Sequence, residues 1–265
     1  MASIQESGFL SPAIAHWITK HRKEHTAWFT LADTLNRLAQ RLMLSAAPPK
    51  GNLQKLLVAL LFARVLSHFQ GVILLVERGM TTEGRSLLRG MLDAVFAVVA
   101  LSKDGGLVDA FVDDDTVQRY KLVQSFRALP KEIRKLHRLG DDKLEELANT
   151  LKKDIDERDI KPLRSEFLAQ KAGMLGHYQT LFVLLSSSTH SRARDLERQV
   201  EVGPDQNVTE LIWGPDVHDI DDVLMPTCEC LFIAARALAD LYGNHEQDAE
   251  LEGTWKTYES LIGKA

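Results

Sequence analysis

Cysteine is scarce in this chain of 265 residues: there are two, Cys228 and Cys230, separated by a single position. On a helix such a pair projects about 200° apart, so the two thiols can neither form a disulfide nor share a metal ion. The sequence therefore excludes a disulfide framework and a zinc knuckle, and it is typical of a reducing, intracellular setting. We expect the protein to lie in the cytosol, with no metal and no cofactor.

Long hydrophobic runs and a targeting segment are also missing. The first residues, Met1 to Gly8, are polar and lack the basic and then apolar order of a signal peptide. The most apolar stretch, Leu53 to Val76, is interrupted by polar and charged side chains, so there is no clean run of about 20 apolar residues. We expect this stretch to form a buried core helix and the protein to have no membrane partner.

An excess of basic charge is lacking as well. Acidic residues number 37 against 32 Lys and Arg, and the net charge is -5. Such a net field repels phosphates and disfavours wholesale coating of nucleic acid, although it does not exclude local basic patches. There is no GxxxxGK[ST] or GxGxxG phosphate loop and no G-x-S-x-G elbow, which excludes a P-loop NTPase, a Rossmann enzyme and an α/β-hydrolase.

Helical periodicity dominates what is present. Apolar residues recur at three- and four-residue steps from Pro12 to Leu44 and in several later segments, with Pro and Gly placed between the segments. Asn52 is expected to cap the second helix, and Thr81 or Thr82 the third. One stretch, 199–213, alternates on both sides of a Gly-Pro turn. We therefore predict an all-α, multi-helix bundle with one small β-hairpin near residues 199–213.

We predict a single helical domain over residues 1–265, with a flexible N-terminus at 1–10. The stretch 131–171 is rich in charge and thin in apolar residues, which is typical of an exposed helical pair or a mobile arm. The first long segment carries a leucine stripe that serves either packing within the chain or a homodimer interface. The stripe consists of Leu31, Leu35, Leu38 and Leu42.

The most informative charges lie on the third helix. Arg85, Arg89 and Asp93 follow one another at steps of four and therefore share one face, whereas the other faces are apolar. Charges on a buried helix need partners. One interpretation is structural, with Arg89 paired to Asp93 and Arg85 paired to a neighbouring carboxylate. The other is functional, with two guanidinium groups that present their N–H forks to a phosphate or carboxylate.

A second group of polar residues closes a later apolar helix. Ser186 and His190 lie one turn apart on the same face, and a histidine near a helix C-terminus gains from the helix dipole. One interpretation is a polar helix end whose hydroxyl groups bond back to helix carbonyls. In the other, His190 faces Arg85, Arg89 and Asp93 and acts as a ligand-binding group or as a general acid or base.

These two motifs resemble domain-of-unknown-function family 5677, a bacterial family of helical proteins. Its members show a helix of the type E-x-x-x-L-x-R-x-x-x-E, then Y…L-S-x-x-x-H, a hairpin and a C-terminal helix. With Asp where the family has Glu, the first motif falls here on Arg85, Leu88, Arg89 and Asp93. The second falls on Tyr178, Leu185, Ser186 and His190. The resemblance spans about residues 53–243 and implies a helical fold without a settled activity.

We expect an interior polar site that binds an anionic ligand, either a nucleotide or an RNA phosphate. In this hypothesis Arg85 and Arg89 bind the anion, and Asp93 orients Arg89 or His190. The remaining expected ligand-binding residues are Ser186, His190 and, from the second motif, Tyr178.

Two alternatives stay open. By analogy, helical nucleic-acid-processing proteins of bacterial mobile elements and defence loci suggest the HEPN ribonucleases, dimers that cleave RNA with an Arg and a His of one helix. His190 would be the general acid or base and Arg89 the transition-state stabiliser, without a metal. The chain departs from that pattern, because no Arg lies four to six residues before His190. The other alternative is a non-catalytic structural or partner-binding protein.

Two further features are interpreted as structural. His21 and His25 have a spacing that can chelate zinc, and His16 precedes them, but the neighbouring basic residues favour a solvated polar face. Trp28 and Trp213 are interpreted as packing anchors rather than as stacking platforms for bases.

Overall fold

Helices dominate the structure, a computed structural model that describes residues 3–136, 140–189, 196–216, 218 and 220–263. The fold is the predicted all-α bundle with one small hairpin. The helices before the hairpin are α1 (Ile4–Ser7), α2 (Ile14–Glu24), α3 (Thr26–Ser45), α4 (Leu53–Val76), α5 (Thr81–Lys103), α6 (Val108–Arg127), α7 (Lys131–Leu136), α8 (Asp141–Glu157), α9 (Ser165–Ala172), α10 (Leu175–His177) and α11 (Val183–Thr189). A π-helical turn, Tyr178–Phe182, joins α10 to α11. The hairpin strands are β1 (Val200–Val202) and β2 (Val208–Leu211), and α12 (Ile220–Tyr242) and α13 (Asp248–Ile262) follow.

Local chemistry sets the start of α4. Asn52 caps this helix as predicted, because its side chain accepts a hydrogen bond from the Lys55 amide at 2.9 Å. The stretch predicted as one helix before it is two helices, since the backbone leaves helical geometry at His25, between α2 and α3.

The start of α5 differs from the prediction. Met80 precedes the helix, so neither Thr81 nor Thr82 is its cap. The hydroxyl of Thr81 instead donates to the Asp216 carboxylate at 3.0 Å and so attaches the helix to the segment after the hairpin. A tertiary partner has replaced the local cap that the sequence pattern favoured.

An antiparallel pair, α4 and α5, forms the centre of the molecule. Gln54 near the start of α4 donates to the Leu101 carbonyl near the end of α5, at 2.7 Å. Farther along, Leu87 of α5 fills the space that a side chain at Gly71 would occupy. Helix α12 packs across α3, α4 and α5, whereas α9 and α11 pack against α5 and α13 packs against α3 and α12. Helix α5 is therefore surrounded by α4, α9, α11 and α12.

Helix α4 is the one helix of the described residues that is long and apolar enough to cross a membrane by length and composition. Buried residues make up 44% of its most apolar 18-residue window. Its buried face includes Val58, Phe62, Val65 and Phe69, which belong to the main hydrophobic core. This face of α4 is buried in the core, as predicted for the stretch.

The leucine stripe of the first long segment lies inside the molecule. Leu31, Leu35, Leu38 and Leu42 are all buried and belong to the main core of the chain. These four side chains pack within the chain, so they offer no free surface to a second copy.

The described residues of the charged stretch 131–171 belong mainly to α7, α8 and α9. Helix α8 packs along α6 and encloses a second, small hydrophobic cluster. That cluster consists of Val123, Leu144, Ala148 and Leu151. Helix α9, by contrast, packs against α5 and adds Leu168 and Ala169 to the main core. The stretch therefore contributes α8 to a small cluster with α6 and α9 to the main core.

The hairpin has the predicted position, but Trp213 after it is not a packing anchor. Its side chain is 70% exposed, whereas Trp28 is buried as predicted.

His21 is also not on a solvated face, because it is 1% exposed. Its ring stacks against Trp17 at a centroid distance of 5.5 Å and meets the edge of Phe29 at 6.0 Å. Burial lowers the pKa of this imidazole, and the nearby His25 lowers it further. The prediction took the basic neighbours of His21 as a sign of a solvated face, but one of them, Arg22, forms an ion pair with Asp33 at 2.5 Å.

Candidate functional site

The charged stripe of α5 divides between two environments. Arg85 is 8% exposed, and its side chain lines a cavity between α5, α11 and α12. Arg89 and Asp93 follow one and two turns farther along and belong to a hydrogen-bonded network. Neither residue lines this cavity. The common helix face was predicted correctly, but its members have different neighbours.

Arg89 has partners at two of its guanidinium nitrogens and on one face of the group. One Nη donates to Asp93, and Nε donates to the Ser186 hydroxyl at 3.3 Å. The plane of the group lies over the Phe182 ring, with 3.4 Å between the guanidinium carbon and the ring centroid. Asp93 in turn accepts a hydrogen bond from Ser165 at 2.6 Å. This arrangement corresponds to the structural interpretation of Arg89 and ties α5 to both α9 and α11.

Ser186 therefore meets the stripe, but through Arg89 rather than through a ligand. Besides accepting from Arg89, its hydroxyl donates to the Phe182 carbonyl at 2.8 Å, as in a polar helix end. His190, predicted to act beside it, lies outside the described residues. The roles predicted for Arg89 and Asp93 in anion binding remain predictions.

Tyr178 begins the π-helical turn and belongs to an aromatic cluster. Its ring stacks on Phe182 at a centroid distance of 4.8 Å and lies 6.4 Å from Phe96 of α5. A π-turn inserts one extra residue into a helix, and such turns are frequent at functional sites. Here the turn places Phe182 beneath Arg89, and it directly follows His177 of α10, which faces the cavity.

The cavity at Arg85 has a volume of about 680 Å³, within the usual range for small-molecule sites. Its floor is buried and combines Arg85 with Leu185, Ser188 and Pro226. The mouth is exposed and polar and carries the carboxylates of Glu197 and Asp222. The other lining residues are His177, Thr180, Leu181, Leu184, Ser187, Met225 and Glu229.

Arg85 is fixed in this floor by an interaction of its own within the fold. A guanidinium group presents five N–H donors in a planar fork, a geometry that matches carboxylate and phosphate oxygens. Because the side chain is almost fully buried, an anion that reached it would leave water and gain a charge-assisted hydrogen bond.

A histidine–glutamate pair forms another wall. His177 Nε2 and Glu229 Oε1 are 3.2 Å apart, and both side chains are half-buried. The hydrogen bond to Glu229 raises the pKa of His177 above its usual 6.5, against the opposing effect of burial. A protonated imidazole at this position can donate to a ligand oxygen, and a neutral one can accept a proton.

Sequence reasoning missed His177 and Glu229, which come from helices 52 positions apart. A signal for Glu229 was present, since it lies between the two buried cysteines, Cys228 and Cys230, in an otherwise apolar run. A lone carboxylate in such a run needs a polar neighbour. No comparable signal identified His177 as its partner.

Within the part of the chain that the structure describes, no group of three His, Cys, Asp or Glu residues is placed to hold a metal ion. The site residues described so far are one guanidinium, one imidazole, hydroxyls and carboxylates.

The His177–Glu229 pair predicts a pH dependence of stability. An imidazole whose pKa is raised on folding stabilises the protein fully below its unfolded value of 6.5, and this contribution is lost as the pH rises through the folded value. We expect Glu229→Gln to lower the free energy of unfolding by up to about 1 kcal/mol near pH 6 and by less near pH 9. Urea unfolding at both pH values measures the difference. The exposed Glu252→Gln on α13 serves as control, and an equal loss for Glu229→Gln at both pH values would contradict the pairing.

One protein family matches the chain. Its model, described as "Family of unknown function (DUF5677)", matches residues 55–207, which is more than half of the chain. The matched range covers α4 to α11 and the first strand of the hairpin, and so includes Arg85, His177 and Ser186 but not Glu229. No curated protein and no solved structure matches the chain.

Proposed function

We propose a ligand-binding function for this chain, which belongs to the family of unknown function DUF5677: the cavity at Arg85 binds a small anionic ligand of the nucleotide type. The observation that supports it is a buried guanidinium on the floor of a cavity of ligand size. The interaction is a charge-assisted hydrogen bond between Arg85 and a phosphate oxygen.

A nucleotide fits this lining better than a bare phosphate. The cavity is far larger than one phosphate group, and part of its wall is apolar, from Leu181, Leu185 and Met225. Such a wall suits the apolar faces of a base. The mouth carries carboxylates at Glu197 and Asp222, which accept hydrogen bonds from the N–H groups of a base edge.

A free nucleotide also fits better than a long RNA. The chain carries a net charge of -5, and the described mouth of the cavity is acidic. The carboxylates would repel a polyanion that lies across this mouth. A mononucleotide has one phosphate, which is close to these carboxylates only on its way to Arg85. His177, with its raised pKa, would add a second donor to the phosphate.

The other predicted residues take supporting roles in this proposal. The Arg89–Asp93 pair fixes the π-turn through Phe182 and thereby the orientation of His177. The earlier hypothesis that His190 and Tyr178 contact the ligand is retained as a proposal, since His190 follows closely on the cavity residue Ser188. We also propose the cytosol, where free nucleotides are present, as the location of the protein.

Titration with four probes tests the proposal. Guanosine monophosphate supplies phosphate and base N–H donors, guanosine lacks the phosphate, inorganic phosphate lacks the base, and inosine monophosphate lacks the exocyclic amino group. We expect guanosine monophosphate to bind at least about tenfold more tightly than each of the other three, a difference of about 1.4 kcal/mol, as measured by calorimetry. Equal binding of inorganic phosphate would reject the nucleotide, and equal binding of guanosine would reject the anion site.

Metal-independent cleavage of RNA is the second candidate, and the His177–Glu229 pair favours it. In such a reaction the ribose 2′-oxygen bonds to phosphorus, the bond to the 5′-oxygen breaks, and a cyclic phosphate forms. The proton would pass from the 2′-hydroxyl to the departing 5′-oxygen through His177. Incubation with a dinucleoside monophosphate in the presence of a chelator decides this point. A cyclic phosphate product that disappears in His177→Gln would support cleavage, and an intact substrate would leave binding as the function.

A further inference from the structure

The hairpin extends from the helices and is attached mainly at its base. Asp216 donates its amide to the Gly79 carbonyl at 2.9 Å and accepts a hydrogen bond from Thr81. Gly79 has φ of +76°, and a side chain there would approach Pro215 to 2.7 Å, so the fit at this base is close. The strands themselves have no such support, since every residue of β2 is exposed.

The two faces of the hairpin differ in chemistry. Val200 lies opposite Leu211 and Val202 lies opposite Val208, with an irregularity in the pairing between Glu201 and Val202, and these two pairs make the aliphatic face. Three of these side chains are between 56% and 59% exposed. Glu201 lies directly opposite Glu210 and gives the other face a pair of like charges.

The small size of the hairpin and its pair of opposed glutamates are both unfavourable for its stability. Two strands alone are marginally stable in water, and like charges directly opposite each other on neighbouring strands are destabilising. Within the described part of the chain, neither the Glu201 nor the Glu210 carboxylate forms a hydrogen bond or an ion pair. A partner with positive charge would remove the repulsion.

The edges of the hairpin are open as well. The Ile212 amide donates to the Gln199 carbonyl at 2.8 Å, so the next pair, Val200 and Leu211, turns its backbone N–H and C=O groups outward. Among the described residues no third strand pairs with either edge. An open edge of this kind is a template for an added strand.

A groove of about 350 Å³ lies beside the acidic face. Its lining includes Glu201, Glu210 and the exposed ring of Trp213, and no Lys or Arg is among its described lining residues. Asp216, which pairs with His218, and two residues of α1, Ile4 and Gln5, also line it. An aromatic ring beside carboxylates suits the aliphatic stem and the cationic head of a lysine or arginine.

We infer that this hairpin binds an extended segment of a partner protein in which apolar and basic residues alternate. The segment adds to an open edge, so that its apolar side chains continue the aliphatic face and its basic side chains meet Glu201 and Glu210. This inference is independent of the cavity at Arg85. A second copy of the hairpin is disfavoured, since it would bring two more glutamates to the same face, and nucleic acid would be repelled there.

Binding of designed peptides tests this inference. A labelled eight-residue peptide that alternates Val and Lys is titrated with the full chain and followed by fluorescence anisotropy. A peptide that alternates Val and Glu, and one with the same Val and Lys residues in two blocks, are the controls. We expect the alternating Val and Lys peptide to bind at least about tenfold more tightly than either control, and more weakly at high salt. Equal affinity for all three peptides would overturn the inference.

A charge-neutral variant of the hairpin provides the matching test in the protein. We expect Glu201→Gln with Glu210→Gln to weaken the Val and Lys peptide about tenfold, whereas Glu145→Gln with Glu146→Gln on the exposed face of α8 leaves it unchanged. The hairpin pair removes a repulsion, so unfolding of the hairpin would not explain a loss of affinity. An unchanged affinity would overturn the inference, and so would a stable dimer in light scattering that the peptide does not dissociate.

Discussion

Replacement of Arg85 with methionine is expected to lower the affinity for guanosine monophosphate about 100-fold, or about 2.7 kcal/mol. Arg85 is the one buried cation among the described residues of the cavity floor. Each hydrogen bond from a charged group is worth about 1.5–3 kcal/mol, so the loss of one or two such bonds gives this change. Calorimetric titration of both proteins measures it.

Two controls separate this effect from a loss of structure. Arg85→Lys keeps the positive charge but loses the planar fork, and we expect it to recover part of the affinity. Arg119→Met removes an exposed guanidinium on α6, far along the chain from the cavity, and is expected to bind as the wild type does. If Arg85→Met is folded and binds as tightly as Arg119→Met, the anion does not meet Arg85.

Replacement of Phe96 with alanine is expected to destabilise the protein by about 3–5 kcal/mol. The Phe96 ring is fully buried in α5 and lies 5.8 Å from the Phe182 ring and 6.4 Å from the Tyr178 ring. Its removal leaves a cavity beneath the π-turn. Thermal unfolding should shift down by about 6–20 °C, because each kcal/mol corresponds to about 2–4 °C in a chain of this size.

The same variant tests whether the aromatic cluster supports the site. We expect Phe96→Ala to weaken nucleotide binding at temperatures where the protein is still folded, since the π-turn positions His177. Phe167→Ala on α9, where the ring is 39% exposed, is the matched control and should change stability by no more than about 1 kcal/mol. A Phe96→Ala protein as stable as Phe167→Ala would contradict the packing described for α5.

The sequence predicted the helix faces better than it predicted their neighbours. The four-residue steps place Arg85, Arg89 and Asp93 on one face, and this is correct. Which helix covers each turn of that face depends on packing between distant segments. Phe182 covers Arg89, whereas Arg85 meets a cavity. Periodicity therefore could not predict that Arg89 and Asp93 form a hydrogen-bonded network whereas Arg85 lines a cavity.

Burial of polar residues was the least predictable feature. His21 was expected on a solvated face because of its basic neighbours, yet aromatic side chains from two helices enclose it. Trp213 was expected to be a packing anchor, yet it is exposed. In both cases the deciding contacts are tertiary, and a local pattern contains no information about them.

The π-turn and the His177–Glu229 pair had no clear sequence signature. The alternation at 199–213 and the cap at Asn52, by contrast, depend on neighbouring residues and were predicted correctly. Local spacing predicted the face that Arg85, Arg89 and Asp93 share, whereas the contact of Arg89 with Ser186 is tertiary and could not be predicted from it. The acidic wall of the cavity could not be predicted either, because α12 brings it from a distant part of the chain.

A crystal structure of the full chain grown with guanosine monophosphate tests the central claim most directly. The account predicts phosphate oxygens within about 3 Å of the Arg85 guanidinium, with the base against the aliphatic wall and its N–H edge toward Glu197 or Asp222. A nucleotide bound elsewhere, or a phosphate that contacts neither Arg85 nor His177, would contradict it.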